Sequence, residues 1–193
     1  MKNLVGELRA SIIATLLLAA LCCGIYPAVV WAVGQALFPD KANGSLVRVD
    51  GKVAGSSLLA QGFSGPKYFH PRPSAAGQGY DAVHSGGTNL GPLSKKLIED
   101  VKRRVADYRM QNGLAPGAAV PADAVTSSAS GLDPHIGVRN AELQANRVAA
   151  ARGMRKEEVL KKVRAHTEAR TLGIFGEPRV NVLMLNLDLD GKM

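Results

Sequence analysis

Four histidines, His70, His84, His135 and His166, are the first residues to weigh for chemistry. No two stand in an H-x-x-x-H or H-E-x-x-H spacing, which would set two imidazoles on one helix face for a metal, so no metal site is expected. Ser130, Asp133 and His135 are the residue types of a nucleophilic triad. They lie within one turn of chain, too close for hydroxyl, imidazole and carboxylate to align, and no G-x-S-x-G elbow accompanies them. Capping fits Ser130 and Asp133 better. Asp81 and Asp100 lack a carboxylate partner whose spacing would mark an acid–base pair. The sequence contains neither a G-x-x-x-x-G-K-S/T loop nor the aspartate-centred D-K-T-G-T of P-type pumps, so the chain is not expected to hydrolyse ATP or phosphorylate itself. That leaves Ser85, Gly86, Gly87, Thr88 and Asn89, a loop opening a predicted helix. Its backbone N–H groups could cradle an anion; a tight turn needs the same residues.

The elements that must position these residues begin with a membrane segment. Ala10–Pro39 carries no charge between Arg9 and Asp40. A helix needs about 20 apolar residues to cross the hydrocarbon core, and a coil is the conformation that satisfies its backbone there. A secretory signal has an apolar core of only about 7–15 residues, so an uncleaved anchor is expected. Pro27 should interrupt the helix, with a kink near it, and Trp31 fits the second interface. Lys2 and Arg9 outweigh Glu7 in the short tail, which places residues 1–9 in the cytoplasm, 10–39 in the membrane and 40–193 outside the cytoplasm. Ser11, Thr15 and Gln35 are the only strongly polar side chains of the span, so it should not line an ion path. It should pack on a partner through small residues such as Ala14 and Ala19. Cys22 and Cys23 point to different sides of a helix and read as packing residues.

Most of the +8 net charge lies beyond the span. Four Tyr, four Phe and one Trp are too few for a base-stacking platform, so no nucleic-acid partner is expected. Asp50-Gly51 between Ser45–Val49 and Lys52–Leu59 predicts a hairpin. Residues 61–92 are rich in Gly, Pro, Ser and His; so long an irregular stretch in a compact domain usually serves function or an interface. A helix starting near Pro92, with Leu93, Leu97, Ile98, Val101, Val105 and Tyr108 on one face, should end at Gly113. Pro121–Ser128 reads as a short helical turn. Asp133 and Pro134 read as cap and first residue of a helix, and a second helix should cover Val138–Arg152 with Ala141, Ala145 and Val148 buried. A third runs from about Arg155 to Arg170, with Val159 and Val163 inward, Glu157 and Glu158 in its first turn, and Lys161 and Lys162 four residues on. Leu183, Leu185, Leu187 and Leu189 alternate, which predicts a strand over Val180–Leu189. The fold class expected is α+β: one transmembrane helix, then a single domain of about three helices and a small sheet.

Pro71 and Pro73 stiffen Arg72, which admits two readings. Arg72 ties two loops through an acid such as Asp133, or with Tyr68 and Phe69 it faces a partner.

Five stretches in order carry a resemblance: Tyr68–Ser74 (YFHPRPS), Ser85–Pro92 (SGGTNLGP), Ser130–Ile136 (SGLDPHI), Gln144–Gly153 (QANRVAAARG) and Leu172–Asp190 (LGIFGEPRVNVLMLNLDLD). Behind one anchor, this set resembles the C subunit of the Kdp potassium-transporting ATPase over nearly the whole chain. The resemblance implies an accessory subunit of an inner-membrane, ATP-driven potassium importer. A pore-forming subunit would carry the selectivity filter and a P-type subunit the phosphorylated aspartate. It implies support of assembly, a raised apparent ATP affinity of the P-type subunit, and ATP as a ligand, bound weakly or only within the complex, with the Ser85–Asn89 stretch as candidate. A domain outside the cytoplasm cannot reach cytoplasmic ATP. Either the nucleotide effect travels through the membrane subunits or the orientation is reversed. The rival class is an anchored extracytoplasmic hydrolase using Ser130 or His135.

Overall fold

A computed structural model describes residues 2–192. The chain divides into two compact units that meet at Leu46 and Val47.

The first unit is one continuous helical run. α1 (Lys2–Ala19) passes through a π-helical turn (Ala20–Ile25) into α2 (Tyr26–Leu37). The apolar helix Asn3–Leu37 has 35 residues, about 50 Å at ~1.5 Å per residue, more than the ~30 Å hydrocarbon core. The disturbance expected at Pro27 is the π turn just before it: Tyr26 N–H reaches back five residues to Leu21 C=O. Widening the coil there accommodates a ring that would clash in a regular α turn. A short α3 (Pro39–Ala42) follows, and the Asn43 side-chain amide donates to Pro39 C=O (2.7 Å) and to Gln35 (3.1 Å).

The second unit begins at Val47, within β1 (Leu46–Val49), which pairs with β2 (Lys52–Ser56) as the expected hairpin. Asp50 and Gly51 both have positive φ, +50° and +75°, the signature of a type I′ turn. α4 (Lys95–Gln111) starts later than Pro92, because Ser94 is its cap and accepts from Leu97 N–H. Its stripe is only partly covered: Tyr108 is buried, whereas Ile98 is 44% exposed, and Leu93, expected on the stripe, precedes the cap and is 91% exposed. Ala122–Ala124 form the expected short helical turn.

Asp133 and Pro134 do not start a helix. They lead into β3 (His135–Gly137), and α5 (Val138–Arg152) begins after it, on the predicted bounds. Gly153, at φ +64°, ends α5 in the left-handed region. α6 (Lys156–Ala165) is shorter than expected, because the chain leaves it for β4 (Thr167–Glu168). β5 (Arg179–Asn181) lies centrally in an antiparallel sheet of order β3–β5–β4, with Ile136 and Thr167 both opposite Val180.

The predicted strand Val180–Leu189 is mostly a helix, α7 (Val182–Leu189), capped by the Asn181 side chain on Met184 N–H. Leu and Met favour helix, and a run buried nearly all round shows a period of two by accident. The core joins Phe69, Ile136 and Val180 to Ala141, Ala145 and Val148 of α5, Val159 and Val163 of α6, and Leu185 and Leu189 of α7. Two antiparallel sheets with a few helices make the domain α+β, as expected.

Candidate functional site

The irregular segment 61–92 crosses the core without a strand of its own. Two buried amides serve as its ladder. Phe69 N–H donates to Asn186 Oδ1 (2.8 Å), and Asn186 Nδ2 donates back to Phe69 C=O (2.9 Å). One residue on, His70 N–H donates to Gln144 Oε1 (2.8 Å) and Gln144 Nε2 returns to His70 C=O (3.1 Å). Each amide presents one acceptor and one donor at the spacing of a peptide, so α7 and α5 each imitate a neighbouring strand. Arg147 adds its fork, donating to Pro66 C=O (2.8 Å), Tyr68 C=O (2.9 Å), Asn112 Oδ1 (3.0 Å) and Gln144 Oε1 (2.8 Å). Burial holds Arg147 below its ordinary value, yet a guanidinium stays charged. Burial, and then the charge of Arg147, lower His70, which favours its neutral form.

The network continues toward the start of α5. Asn140 Oδ1 accepts from Gln144 (2.9 Å) and from the Tyr108 hydroxyl (2.8 Å). Asn140 Nδ2 donates to Asp123 (2.9 Å), whose same oxygen accepts from Gly137 N–H (2.8 Å). A carboxylate at a helix N-terminus is favoured by the dipole. Burial, with the nearby Asp123 charge, pushes the Tyr108 phenol up and keeps it a donor. Between these groups and α4 lies a cleft of about 280 Å³, bordered by His70, Tyr80, Arg104, Tyr108, Asn140 and Gln144. This is near the lower limit for a ligand site, and most of its polar groups already bond to one another.

Two of the five stretches that carry the resemblance meet. Ser85 Oγ (3.0 Å) and Gly86 N–H (2.9 Å) both donate to Ser130 C=O. A Cβ on Gly87 would lie 2.9 Å from Ala129 O, and one on Gly131 would lie 2.6 Å from Gly86 O, so close backbone approach accounts for these glycines. The loop does not open α4, whose cap is Ser94. Thr88 and Asn89 are exposed.

Of the two readings of Arg72, the loop tie is what the geometry contains. Nη1 meets Asp133 Oδ2 at 3.1 Å, while Nε and Nη2 donate to Thr126 C=O (3.4 Å) and Ser127 C=O (3.3 Å). Phe69 is fully buried in the core, which corrects the expectation that its side chain faces a partner. Tyr68 is half-buried, its ring under Arg152 (5.3 Å) and its hydroxyl 3.4 Å from Asp190. Ala14 and Ala19 are on the outside of α1.

Ser130 Oγ accepts from Leu132 N–H, and among the described residues no hydrogen bond joins it to His135. His135 lies instead between Asp133 (3.4 Å) and Glu168 (3.7 Å). His166 and Lys162 share Asp188, at 3.0 and 2.6 Å, so Lys162 pairs across to α7 and not along its own helix. Exposed His84 pairs with Asp81 at 2.7 Å. A triad is not assembled. Asn140, Gln144, Asn186 and Arg147 escaped sequence reasoning, although Gln144 shares the helical stripe of Ala141, Ala145 and Val148 and could have been placed inside on that spacing.

Residues 8–191 match the family model described as K+-transporting ATPase, c chain, KdpC. The chain belongs to the KdpC family. Similar proteins named potassium-transporting ATPase KdpC subunit include that of Nitratidesulfovibrio vulgaris, 55% identical over 94% of this chain and 92% of the relative. That of Koribacter versatilis is 48% identical over 98% and 95%. That of Caulobacter vibrioides is 50% identical over the same shares. A KdpC chain is by name one subunit of a larger potassium-transporting ATPase, so partner subunits are implied. The five stretches that carry the resemblance are, in this KdpC fold, the segment 61–92, the loop it rests on, the clamp helices α5 and α7, and the arm between β4 and β5.

Proposed function

We propose that this chain is the non-catalytic accessory subunit of an ATP-driven potassium importer. It is anchored by its one apolar helix and stands beside a pore-forming subunit and a P-type subunit. It supports their assembly and raises the apparent ATP affinity of the P-type subunit. Membership of the KdpC family over residues 8–191 carries this reading. The domain's polar interior agrees with it: the buried amides of Asn186 and Gln144 hold a segment of the chain in place, which suits a rigid adapter. Direct contact with ATP at Ser85–Asn89 has an observation against it, since Gly86 N–H is already bonded to Ser130 C=O. The nucleotide effect therefore fits transmission through the membrane subunits, with the domain outside the cytoplasm.

The test uses the whole complex. Omitting this chain should lower the yield of the two larger subunits together and raise KM for ATP in what assembles. Unchanged yield and KM would refute the reading. Orientation is read by one cysteine at exposed Ala119 in a Cys22→Ala, Cys23→Ala background; Gly117, at φ +87°, would strain any side chain. Labelling of cells with only the outer membrane opened is expected. Labelling that waits for the inner membrane to break would reverse the orientation.

A further inference from the structure

The arm joining β4 to β5 ends in an apolar knob. Leu172, Ile174 and Phe175 are 83%, 73% and 63% exposed. Single exposed apolar residues are ordinary, but three bulky ones within four positions mark a surface with a purpose. The backbone beneath them is well tied. Thr171 and Phe175 exchange both backbone hydrogen bonds at 2.9 Å, and Ile174 N–H closes the turn on Thr171 C=O at 3.2 Å. Leu172 and Gly173, at φ +54° and +75°, occupy the central positions of a type I′ turn. Asn, Asp or Gly suits the first of these positions; a leucine held there is strained. Folding gains nothing from a strained leucine that water surrounds. A binding partner would.

The charges below the knob indicate which partner. Arg170 pairs with Glu177 at 2.8 Å, and Arg179 with Glu168 at 2.9 Å. An arm meant for an anionic lipid surface would leave its cations free for headgroups. Here Arg170 already faces Glu177 on the arm, and Arg179 faces Glu168 on the strands at its base. An apolar centre inside a collar of neutralised charge is the anatomy of a protein–protein anchor.

We propose that the Leu172–Phe175 knob seats in an apolar pocket of another subunit of the potassium-transporting ATPase. This rests on the accessory-subunit reading above. Leu172 and Ile174 on the turn and Phe175 at its closing bridge are all exposed within one short, hydrogen-bonded loop, so one pocket can take them together, and the paired arginines and carboxylates lie at the rim.

The test takes the full chain co-expressed with the larger subunits. A photoreactive residue in place of Ile174 should form an adduct with a larger subunit on irradiation, while the same residue at exposed Ala106 on α4 should not. Leu172→Asn suits the left-handed backbone, so the chain should melt no lower in detergent than wild type. Combined with Ile174→Ser and Phe175→Ser, it should reduce co-purification of the larger subunits at least about tenfold. If the triple variant melts early, the single Leu172→Asn is read in its place, with a smaller drop expected. An adduct with lipid alone overturns the proposal. So does unchanged co-purification by a folded variant, and both results leave the accessory reading intact. A wild-type chain that brings no larger subunit overturns both.

Discussion

On α5 and α6, Ala141, Ala145, Val148, Val159 and Val163 are buried against one another, and removal of apolar surface from water orders this side of the domain. Residues 61–92 reach a comparable order with little apolar surface of their own to bury. Phe69 is their one large core side chain, and the backbone around it is held by Asn186, Gln144 and Arg147. The difference lies in what each region tolerates. Close packing accepts changes of shape that conserve volume, because dispersion and burial are not directional. An amide clamp accepts nothing without both a donor and an acceptor in place, since each stranded peptide group is desolvated and unpaired.

The largest effect should come from setting these regimes against each other on neighbouring residues of α7. Leu185→Ala removes a fully buried side chain and should cost about 3 kcal/mol. Asn186→Ala leaves both Phe69 N–H and C=O unpaired and should cost about 4 kcal/mol, although it deletes less hydrophobic surface. The conservative pair sharpens the contrast. Leu185→Met should be mild, whereas Asn186→Leu, which keeps the branching but is bulkier and can neither donate nor accept, should be at least as damaging as alanine. Melting of the full chain in detergent measures the ranking, and hydrogen exchange at the Phe69 amide should accelerate only for the Asn186 variants. Equal tolerance at both positions would remove the distinction.

How far the sequence anticipates this structure follows the same division. The hairpin at Asp50-Gly51 and the helix Val138–Arg152 with its buried Ala141, Ala145 and Val148 were legible, because turn chemistry and apolar period are local signals. α7 was not, since a short run of Leu, Met and Val can satisfy periods of two and of 3.6 at once. The clamps were invisible for a different reason. A polar residue reads as surface unless a backbone group far along the chain needs it, and Asn186 reaches Phe69 across 117 positions. Arg72 falls between: its two prolines announced a fixed guanidinium, but only the fold decides that Asp133 receives it.

That arginine supplies the intermediate effect. Arg72 has three acceptors, two of them carbonyls of the 126–127 loop, and is half-buried. Arg72→Lys keeps the charge and loses the fork, so it should recover little of the loss from Arg72→Ala, about 1–2 kcal/mol. The acid limb follows from Asp133. Burial pushes its carboxyl up, but hydrogen bonds from His135 side chain and backbone and from Arg72 together outweigh burial and hold it below the ordinary range. Its folded value thus lies under its unfolded value of about 3.9. The stabilisation is present above about pH 4 and is lost as pH falls through the folded value. The melting difference between wild type and Asp133→Asn should shrink from about pH 6 to about pH 3. A constant difference would mean the carboxylate's charge is not what ties the loops.

The smallest effect should come from a clamp component with a reserve. The Tyr108 hydroxyl donates to Asn140 Oδ1 at 2.8 Å, but that oxygen also receives Gln144 Nε2 at 2.9 Å. Tyr108→Phe therefore strands no acceptor. It forfeits one bond net and leaves the ring in place, so about 0.5–1 kcal/mol is expected, well below the cost at Asn186. Because burial and the Asp123 charge push the phenol up, it stays protonated well into the alkaline range. The gap between wild type and Tyr108→Phe should accordingly stay flat between about pH 6 and about pH 9, where an ordinary tyrosine remains neutral as well. A loss near 3 kcal/mol would show that Asn140 depends on Tyr108 for its orientation. In that case Gln144 would lose its own support, and the segment would be held by a cooperative chain running from α4 through α5, in place of two independent clamps.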